Sequence, residues 1–388
     1  MKVAVLGGGI AGAAAAFEVT RQGCRATVFH EAAGSTALYS GALDFEVWDR
    51  AASVGAVGLE LAAFSEALGA WALGAAALRL ATLEGNVRPA RGGDCALLDL
   101  ECCAGKRVAV VDLERDDWDA TLLAKSYAGS EWARRTQTHF YAARVVALRK
   151  GFERRISGYD FAALHDAPER AQALLAAVQG SGVTPDAWLF GPWLGIERPL
   201  AFELSQALGV PVGETTSGLG GSAGARFENA RDRLLSRTAE VVRARVTRIS
   251  RTGTSYRVDS QGHEAQEFSA VVIATGGVAA GGIALERSFE RRGGTGFRLS
   301  FEAPVALSLD AEVLEGVSSL SSVDFVERGL EVLSNVGIAS GPDSSVPDHR
   351  GLFVAGDAVA ARARTALLAA QSGLDAGRSA VEYIRRSG

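Results

Sequence analysis

The sequence of 388 residues has little cysteine and little proline, and each shortage excludes a class of protein. It contains 4 cysteines and 9 prolines. Four cysteines in so long a chain do not make a disulfide-rich scaffold, and so little proline does not suit a proline-rich disordered or collagen-like chain. No cysteine or histidine group has the spacing of zinc or iron–sulfur ligands, so we expect no metal site.

Two of the cysteines, Cys102 and Cys103, are adjacent in the sequence. Adjacent thiols suit neither a metal cluster nor an easily formed disulfide. A reducing cytoplasm is the simplest setting for such a chain, and we expect a cytoplasmic protein.

The sequence also lacks an excess of basic charge and a long uninterrupted apolar run. Its 40 Lys and Arg residues stand against 45 Asp and Glu, which gives a net charge of −5. Nucleic-acid binding depends on basic residues that neutralise phosphates, so we expect no nucleic-acid partner. The apolar run 59–81 contains Glu60 and Glu66 and predicts a buried or amphipathic helix, with a membrane role as the lesser alternative. We expect no signal peptide, because a glycine-containing apolar run follows Met1 and Lys2 directly.

The beginning of the chain has the pattern of a dinucleotide-binding turn. An apolar strand over 3–6 is followed by the glycine-rich sequence 7–12, a helix to about Gln22 and a second strand over 26–29. This strand–turn–helix–strand order is the context in which a G-x-G-x-x-G sequence holds a phosphate at a helix amino terminus. We assign cofactor binding to four residues of the turn: Gly7, Gly9, Ala11 and Gly12. A turn that merely packs a helix on a sheet would explain Gly12 but not Gly8 and Gly9.

The end of the second strand differs from the usual pattern. An acidic residue is expected there to bind a ribose, and the usual spacing places it at His30. Glu31 follows by one residue and could bind a ribose if the strand end is bulged. FMN has no adenosine ribose, so an FMN site would not need this carboxylate.

Two further segments, late in the chain, resemble signatures of two-domain flavoproteins. An apolar strand over 270–274 ends in Thr275, Gly276 and Gly277, and a second over 351–355 ends in Gly356 and Asp357. The resemblance implies that Asp357 accepts hydrogen bonds from the ribityl chain of a flavin; a helix N-cap is the alternative role. A helix follows over 358–386 with Thr365 as its candidate cap, and the resemblance implies that its amino terminus faces the flavin pyrimidine.

The segment 35–44 makes the resemblance specific to one family of flavoproteins. Its Ser40-Gly41-Ala42-Leu43-Asp44 sequence resembles the B component of the anaerobic glycerol-3-phosphate dehydrogenase complex, within the succinate dehydrogenase and fumarate reductase class of flavoproteins. In that class a stretch of this kind lies against the isoalloxazine ring, which implies cofactor contacts for Thr36, Ser40 and Gly41. The sequence departs from the family after Asp357, where residues 360–367 replace a glycine-rich loop.

The resemblance implies a Rossmann-like two-domain flavoprotein of the α/β class. We expect a discontinuous flavin-binding domain over 1–45, 225–282 and 350–388. An inserted α/β domain over 46–224 would itself form a doubly wound sheet, and 283–349 would be a second part of the substrate or cap domain. The expected cofactor is FAD, with FMN as the alternative.

The implied reaction is oxidation of glycerol 3-phosphate to dihydroxyacetone phosphate, with electrons passing towards quinone. A catalytic flavoprotein subunit and an iron–sulfur membrane-anchor subunit are the implied partners, and through them the chain would lie on the inner face of the cell membrane. Two alternatives stay open: a flavin-binding electron-transfer or assembly subunit without its own substrate site, and a free-standing flavoprotein oxidoreductase with another substrate.

No motif identifies a catalytic base. The histidines His139, His165, His263 and His349 are candidates by residue type only. Arg362 and Arg364, shortly after Asp357, are weak catalytic candidates as a clamp for a phosphate or carboxylate, or else form a solvated basic surface. The mixed charges over 226–237 predict an amphipathic, solvated helix.

Overall fold

The computed structural model describes residues 1–44, 58–288, 298–302, 308–309, 312–313, 320–321, 337–360, 362 and 364–387. The helices in this part of the chain are α1 (Ile10–Arg21), α2 (Leu59–Leu68), α3 (Ala120–Ala128), α4 (Glu131–Thr136), α5 (Gly158–Leu164), α6 (Pro168–Gln179), α7 (Leu200–Leu208), α8 (Ser222–Thr238) and α9 (Ala366–Ser387). Short 3₁₀ helices include Ser35–Leu38, Leu100–Cys103 and Gly356–Ala358.

The strands through residue 214 are β1 (Lys2–Leu6), β2 (Arg25–Phe29), β3 (Ala42–Leu43), β4 (Trp71–Ala81), β5 (Val87–Asp94), β6 (Arg107–Asp112), β7 (His139–Arg144), β8 (Ala187–Phe190) and β9 (Val212–Glu214). The later strands are β10 (Glu240–Val242), β11 (Val246–Thr252), β12 (Ser255–Ser260), β13 (Gln266–Phe268), β14 (Ala270–Ile273), β15 (Ala284–Ser288), β16 (Arg298–Glu302), β17 (Ser308–Leu309), β18 (Glu312–Val313), β19 (Leu320–Ser321) and β20 (Leu352–Val354).

The chain divides into two compact units. The first comprises Met1–Thr36, Gly58–Leu68 and the described part of Arg231–Gly388, and the second comprises Gly69–Ala230 with the described part of Ala37–Val57. Helix α2 thus belongs to the first unit, whereas the sequence places it in the inserted domain. Most of the expected cap segment 283–349 lies outside the described residues.

The first unit is built on a five-stranded parallel sheet with the strand order β10-β2-β1-β14-β20. Apart from the exposed first residues Lys2, Arg25 and Glu240 and the buried Thr27, its strands are apolar, as burial of both faces of a parallel sheet requires. An antiparallel sheet of β11, β12 and β13 precedes β14. This architecture confirms the expected Rossmann-like α/β fold.

The second unit contains a four-stranded, all-parallel sheet with the order β7-β6-β8-β9. The order reverses beside β6, which is the topology of a doubly wound sheet, as we expected for the insertion. A three-stranded antiparallel sheet of β3, β5 and β4 belongs to the same unit. The sheet has its own core of large buried side chains, among them Tyr127, Phe161, Phe190 and Trp193.

The expectation for the apolar run 59–81 is wrong in part. Residues 59–68 form α2, but the chain then turns at Gly69, where φ is +72°, and continues as strand β4. A glycine adopts this left-handed conformation without the steric cost that a side chain brings, so it ends the helix. Within the described ranges, no helix has both the length and the apolar character needed to cross a membrane.

Candidate functional site

Three turns that are far apart in the sequence meet in the first unit. They follow β1, β14 and β20, which are adjacent parallel strands, so all three lie at the carboxyl edge of one sheet. The Ala274 amide donates to Leu6 O at 2.8 Å, and the Ala355 amide donates to Ile273 O at 2.8 Å. This edge is where ligands bind in open α/β sheets.

The glycine-rich turn after β1 fits tightly against its neighbours. Gly7 has a φ of +113°, and a Cβ added there would lie 2.1 Å from Ala274 O. A Cβ on Gly12 would lie 1.9 Å from Gly7 O, so α1 approaches the turn more closely than any side chain allows. These contacts give a physical reason for glycine at both positions.

The amino terminus of α1 is left uncapped by side chains. Gly9 is the N-cap residue and offers no side-chain hydrogen bond, and the first turn of α1 has no acidic residue. The backbone also comes close to Gly34, since a Cβ on Gly34 would lie 2.9 Å from Gly9 Cα. Amide groups at a helix amino terminus carry a partial positive charge, and without a side-chain cap they form a cradle for an anionic group such as a phosphate.

Small residues bring α9 against α1 beside this cradle. A Cβ on Gly356 would lie 2.6 Å from Ala11 Cβ, and a Cβ on Gly373 would lie 2.1 Å from Ala11 O. The predicted cofactor residue Ala11 is therefore buried by the turn after β20 and by α9. Its small side chain permits this packing, and a larger one would push α9 away.

The polar side chains of the site gather around Asp357. The Ser35 hydroxyl donates to Asp357 Oδ2 at 3.4 Å, and a Cβ on Gly277 would lie 3.0 Å from Asp357 Cβ and 3.4 Å from Arg364 Nε. Burial raises the pKa of the Asp357 carboxyl, while the Arg364 charge and the Ser35 hydrogen bond oppose that rise. Burial also lowers the pKa of Arg364, against the opposing effect of Asp357.

The predicted helix cap at Thr365 is confirmed. The Leu368 amide donates to Thr365 Oγ1 at 3.3 Å, and α9 begins at Ala366. The expected alternative for Asp357, a helix N-cap, does not apply to α9, because Thr365 holds that position. The sequence analysis did not identify Ser35 as a partner of Asp357. The one feature that could have indicated this role is the position of Ser35 directly after Gly34, in the loop that follows β2.

The region around His30 differs from a ribose-binding carboxylate site. The His30 amide donates to Val242 O at 3.1 Å, and a Cβ on Gly8 would lie 2.6 Å from the imidazole Cγ. Burial is the main cause that lowers the pKa of His30, and the charges of Arg231 and Arg243 act in the same direction. Glu31 is exposed to solvent.

Three residues were expected to face an isoalloxazine ring. Thr36 is buried and is the last residue of the first unit's segment Met1–Thr36, whereas Ser40 and Gly41 belong to the second unit. Within that unit, Ser40 O accepts from the Ser217 amide at 2.8 Å. Gly41 has a φ of +98°, and a Cβ there would lie 3.2 Å from both Ala223 Cβ and Leu97 Cδ1. Their cofactor contacts stay a prediction, and Gly41 also has a packing role.

None of the four histidine candidates follows β1, β14 or β20 at the carboxyl edge. His165 is 1% exposed in the core of the second unit, where Trp193 O lies 2.8 Å from its Nδ1, and burial lowers its pKa to about 4. His139 begins β7 in that unit, and His263 lies between β12 and β13. His349 precedes β20, so it lies at the amino end of that strand.

The expectation of a solvated helix over 226–237 is wrong for two residues. The Arg226 guanidinium is buried and forms ion pairs with Asp94 at 2.8 Å and with Glu214 at 2.6 Å, and it donates to Gly195 O at 2.7 Å. Burial raises the pKa of Glu214 to about 7, although Arg226 opposes this shift. Arg231 is also buried, at 3% exposure, and pairs with Asp232.

Comparisons with known proteins give similarity to solved structures only. The sequence matches no protein-family model, and no curated protein matches it. Glycine oxidase from Geobacillus kaustophilus is similar at 15% identity and a TM-score of 0.35, over 99% of this chain and 94% of that one. Mycobacterium smegmatis Sdh1 in complex with UQ1 is similar at 12% identity and a TM-score of 0.36, over 99% of this chain and 69% of that one. CtdE in complex with FAD is similar at 12% identity and a TM-score of 0.33, over 99% and 88%.

Proposed function

We propose that this chain is a flavin-dependent oxidoreductase that binds FAD, with FMN as the alternative, at the carboxyl edge of the first unit's sheet. The observation that carries the proposal is the meeting of the glycine turn, the Thr-Gly-Gly turn and the Gly-Asp turn at three adjacent strands. A protein that needed these turns for packing alone would not need an uncapped helix amino terminus at the same point.

The residues at this edge fit the parts of a flavin nucleotide. Gly7, Gly9 and Gly12 would hold the phosphate at the amino terminus of α1. Asp357, which already accepts a hydrogen bond from Ser35, would accept those of the ribityl hydroxyls. The Thr365-capped amino terminus of α9 would stabilise negative charge on the pyrimidine. Since His30 stands where a ribose carboxylate is expected, FMN stays the alternative.

A bound flavin would supply the capacity to accept a hydride or single electrons. The chain's own contribution would be to bind and orient an anionic substrate. Arg364 lies beside Asp357 and Gly277, and Arg362 is partly exposed two residues earlier. Their guanidinium groups suit a phosphate or a carboxylate, which accepts paired hydrogen bonds from arginine.

The resemblance to the B component of anaerobic glycerol-3-phosphate dehydrogenase supports glycerol 3-phosphate as this substrate and dihydroxyacetone phosphate as the product. Electrons would pass towards quinone through a catalytic flavoprotein subunit and an iron–sulfur membrane-anchor subunit. The chain would then lie peripherally on the inner face of the cell membrane.

The test is reduction of the flavin-loaded protein by glycerol 3-phosphate under anaerobic conditions, alone and with a candidate catalytic subunit. We expect bleaching of the flavin absorbance in at least one of the two settings. In R364Q we expect a Km about 10-fold to 100-fold higher, from loss of a charged hydrogen bond, with a smaller effect in R362Q. Absence of bleaching in both settings would contradict the substrate assignment.

A second candidate is an electron-transfer or assembly subunit that binds flavin but has no substrate site of its own. The positions of His139, His165, His263 and His349, none of them in the three turns, favour it. Rapid reduction of the isolated chain by substrate would exclude this candidate. A free-standing oxidoreductase with another substrate is the outcome if the flavin binds but glycerol 3-phosphate bleaches neither preparation.

A further inference from the structure

The second unit carries a pair of adjacent thiols that the proposed flavin chemistry does not use. Cys102 and Cys103 end the 3₁₀ helix Leu100–Cys103, which is capped by Asp99 through a hydrogen bond from the Glu101 amide. Their Sγ atoms lie 3.6 Å apart. Cys102 is an exposed residue and Cys103 is a buried one, so the two thiols differ in their access to solvent.

Two neighbours, Cys103 and Lys106, favour the thiolate form of Cys102, whereas the Asp99 carbonyl oxygen, which accepts from Cys102 Sγ at 2.9 Å, favours the thiol. A hydrogen bond from the Cys103 thiol is the largest cause that lowers the pKa of Cys102, and the charge of Lys106 adds to it. Burial and the charge of Asp99 act in the opposite direction. Lys106 is held in place because its ammonium donates to Cys102 O at 2.8 Å.

The other cysteines lack this combination. Cys24 is buried. Cys95 is exposed, but burial of its thiol and the neighbouring Asp94 charge raise the pKa of Cys95 to about 11. The thiolate is the reactive form of cysteine. Cys95 is therefore an internal comparison: an exposed cysteine residue whose thiol is in a setting that disfavours the thiolate.

We propose that Cys102 and Cys103 form a reversible, peroxide-sensitive thiol pair. In this pair the Cys102 sulfur reacts with the peroxide, and Cys103 is the resolving thiol. An accessible thiol with a second thiol poised beside it is the arrangement of redox-sensing cysteines. The Sγ separation of 3.6 Å puts the resolving sulfur within van der Waals contact of the sulfur that it would attack.

The reaction consumes one hydrogen peroxide. The Cys102 thiolate forms an S–O bond to one peroxide oxygen as the O–O bond breaks, and the departing hydroxide takes up a proton to become water. The Cys103 sulfur then bonds to the Cys102 sulfur as the S–O bond breaks, and the hydroxide released combines with the Cys103 proton. Two thiols are oxidised by two electrons to one disulfide, and the peroxide is reduced to two waters.

The product would be easily reduced again. Consecutive Cα atoms across a trans peptide are about 3.8 Å apart, below the roughly 4.4 Å minimum of ordinary disulfides. The same strain means that the disulfide does not form easily, as the adjacent positions indicate, so an oxidant such as peroxide is needed to drive its formation. A strained disulfide is also more readily opened by thiols, which suits a reversible modification better than a structural crosslink.

The test treats the reduced full-length protein with one equivalent of hydrogen peroxide and maps the cysteine peptides by mass spectrometry. We expect loss of two hydrogens from the peptide containing Cys102 and Cys103, with recovery after dithiothreitol. In C103S we expect a sulfenic acid at Cys102 that dimedone traps. In C102S peroxide consumption should slow by about 10-fold or more, whereas C95S should match the wild type.

Three results would overturn the proposal. They are preferential oxidation of Cys95 or Cys24, a disulfide that joins two chains instead of the adjacent cysteines, and unchanged peroxide consumption in C102S. If C102S fails to fold by circular dichroism, the wild-type peptide map and dimedone trapping in C103S decide the matter. Neither measurement depends on flavin binding or on the substrate.

Discussion

The two units each contain a parallel sheet whose strand order reverses beside its first strand, yet the turns after those first strands differ. In the first unit β1 runs into Gly7, Gly8 and Gly9, and the amino terminus of α1 is left uncapped. In the second unit β6 is followed by Arg115 and Trp118, both buried. The Arg115 guanidinium lies 4.6 Å from the Phe161 ring centre.

In the second unit, large side chains therefore follow the first strand of the sheet, where the first unit has glycines. Trp193 follows β8 and its ring centre lies 5.1 Å from that of Trp118, while Trp118 Nε1 donates to Val111 O at 2.8 Å. A doubly wound topology alone therefore does not make a nucleotide site. The glycines of the turn and the space they leave decide whether a ligand can approach the helix amino terminus.

The largest expected effect is on stability and comes from removing the large side chain that follows β8 in the second unit. W193A should lower the free energy of unfolding by about 3–5 kcal/mol, because Trp193 is fully buried among aromatic side chains. Flavin affinity of the folded protein should not change. F202A, at an exposed position, is the control and should stay within about 0.5 kcal/mol of the wild type in urea unfolding. New nucleotide binding in W193A would break the comparison.

Adding a side chain to the glycine turn of the first unit should have the next largest effect. G7A should cost about 3 kcal/mol in unfolding free energy and abolish flavin binding, because left-handed strain adds to a clash with Ala274 O. G253A is matched to it, since Gly253 has a φ of +64° and no heavy atom within 4 Å of an added Cβ. That variant should cost about 1 kcal/mol and keep its flavin. Equal losses in the two variants would mean that backbone strain alone is responsible.

The Asp357 carboxylate should matter for binding more than for folding. D357N should weaken flavin binding by about 10-fold to 100-fold, the value of a hydrogen bond to a charged group. Fluorescence titration of the apoprotein measures this. Asp375, on α9, accepts from Gln371 at 3.1 Å, and D375N should bind flavin like the wild type. Unchanged affinity in D357N would remove this residue from the proposed site.

The smallest expected effect is a pH dependence in the second unit. Because the pKa of Glu214 is raised to about 7 by burial, its protonation favours the folded state, and this contribution is lost as the pH rises towards 7. E214Q imitates the protonated form. Its unfolding free energy relative to the wild type should therefore increase between about pH 4.5 and pH 7, by about 1 kcal/mol or more. A relative stability that falls over this range would mean that Arg226 dominates and holds the carboxylate charged.

The sequence predicted those parts of the fold whose residues are constrained locally. Apolar strands followed by glycine, as at Leu6 and Ile273, give a strong signal because the strand, the turn and the helix must all agree. Thr365 was identifiable as a cap since a hydroxyl side chain at a helix start has few other uses.

The sequence did not predict features that depend on distant contacts. In the sequence, Arg226 stands among charged residues, as a solvated arginine does. Its burial on α8 depends on ion pairs with Asp94 on β5 and Glu214 on β9. Ser35 is one of several hydroxyl residues in its loop, and only the folded chain brings it to Asp357. The run 59–81 is mostly apolar, so periodicity could not separate a helix from the strand that follows it.

The most direct test of the central claim is titration of the folded apoprotein with FAD and with FMN. We predict binding of one equivalent of one of the two, with a bound-flavin absorption spectrum in the wild type and in W193A but not in G7A. Well-folded wild-type protein that binds neither nucleotide would contradict the account.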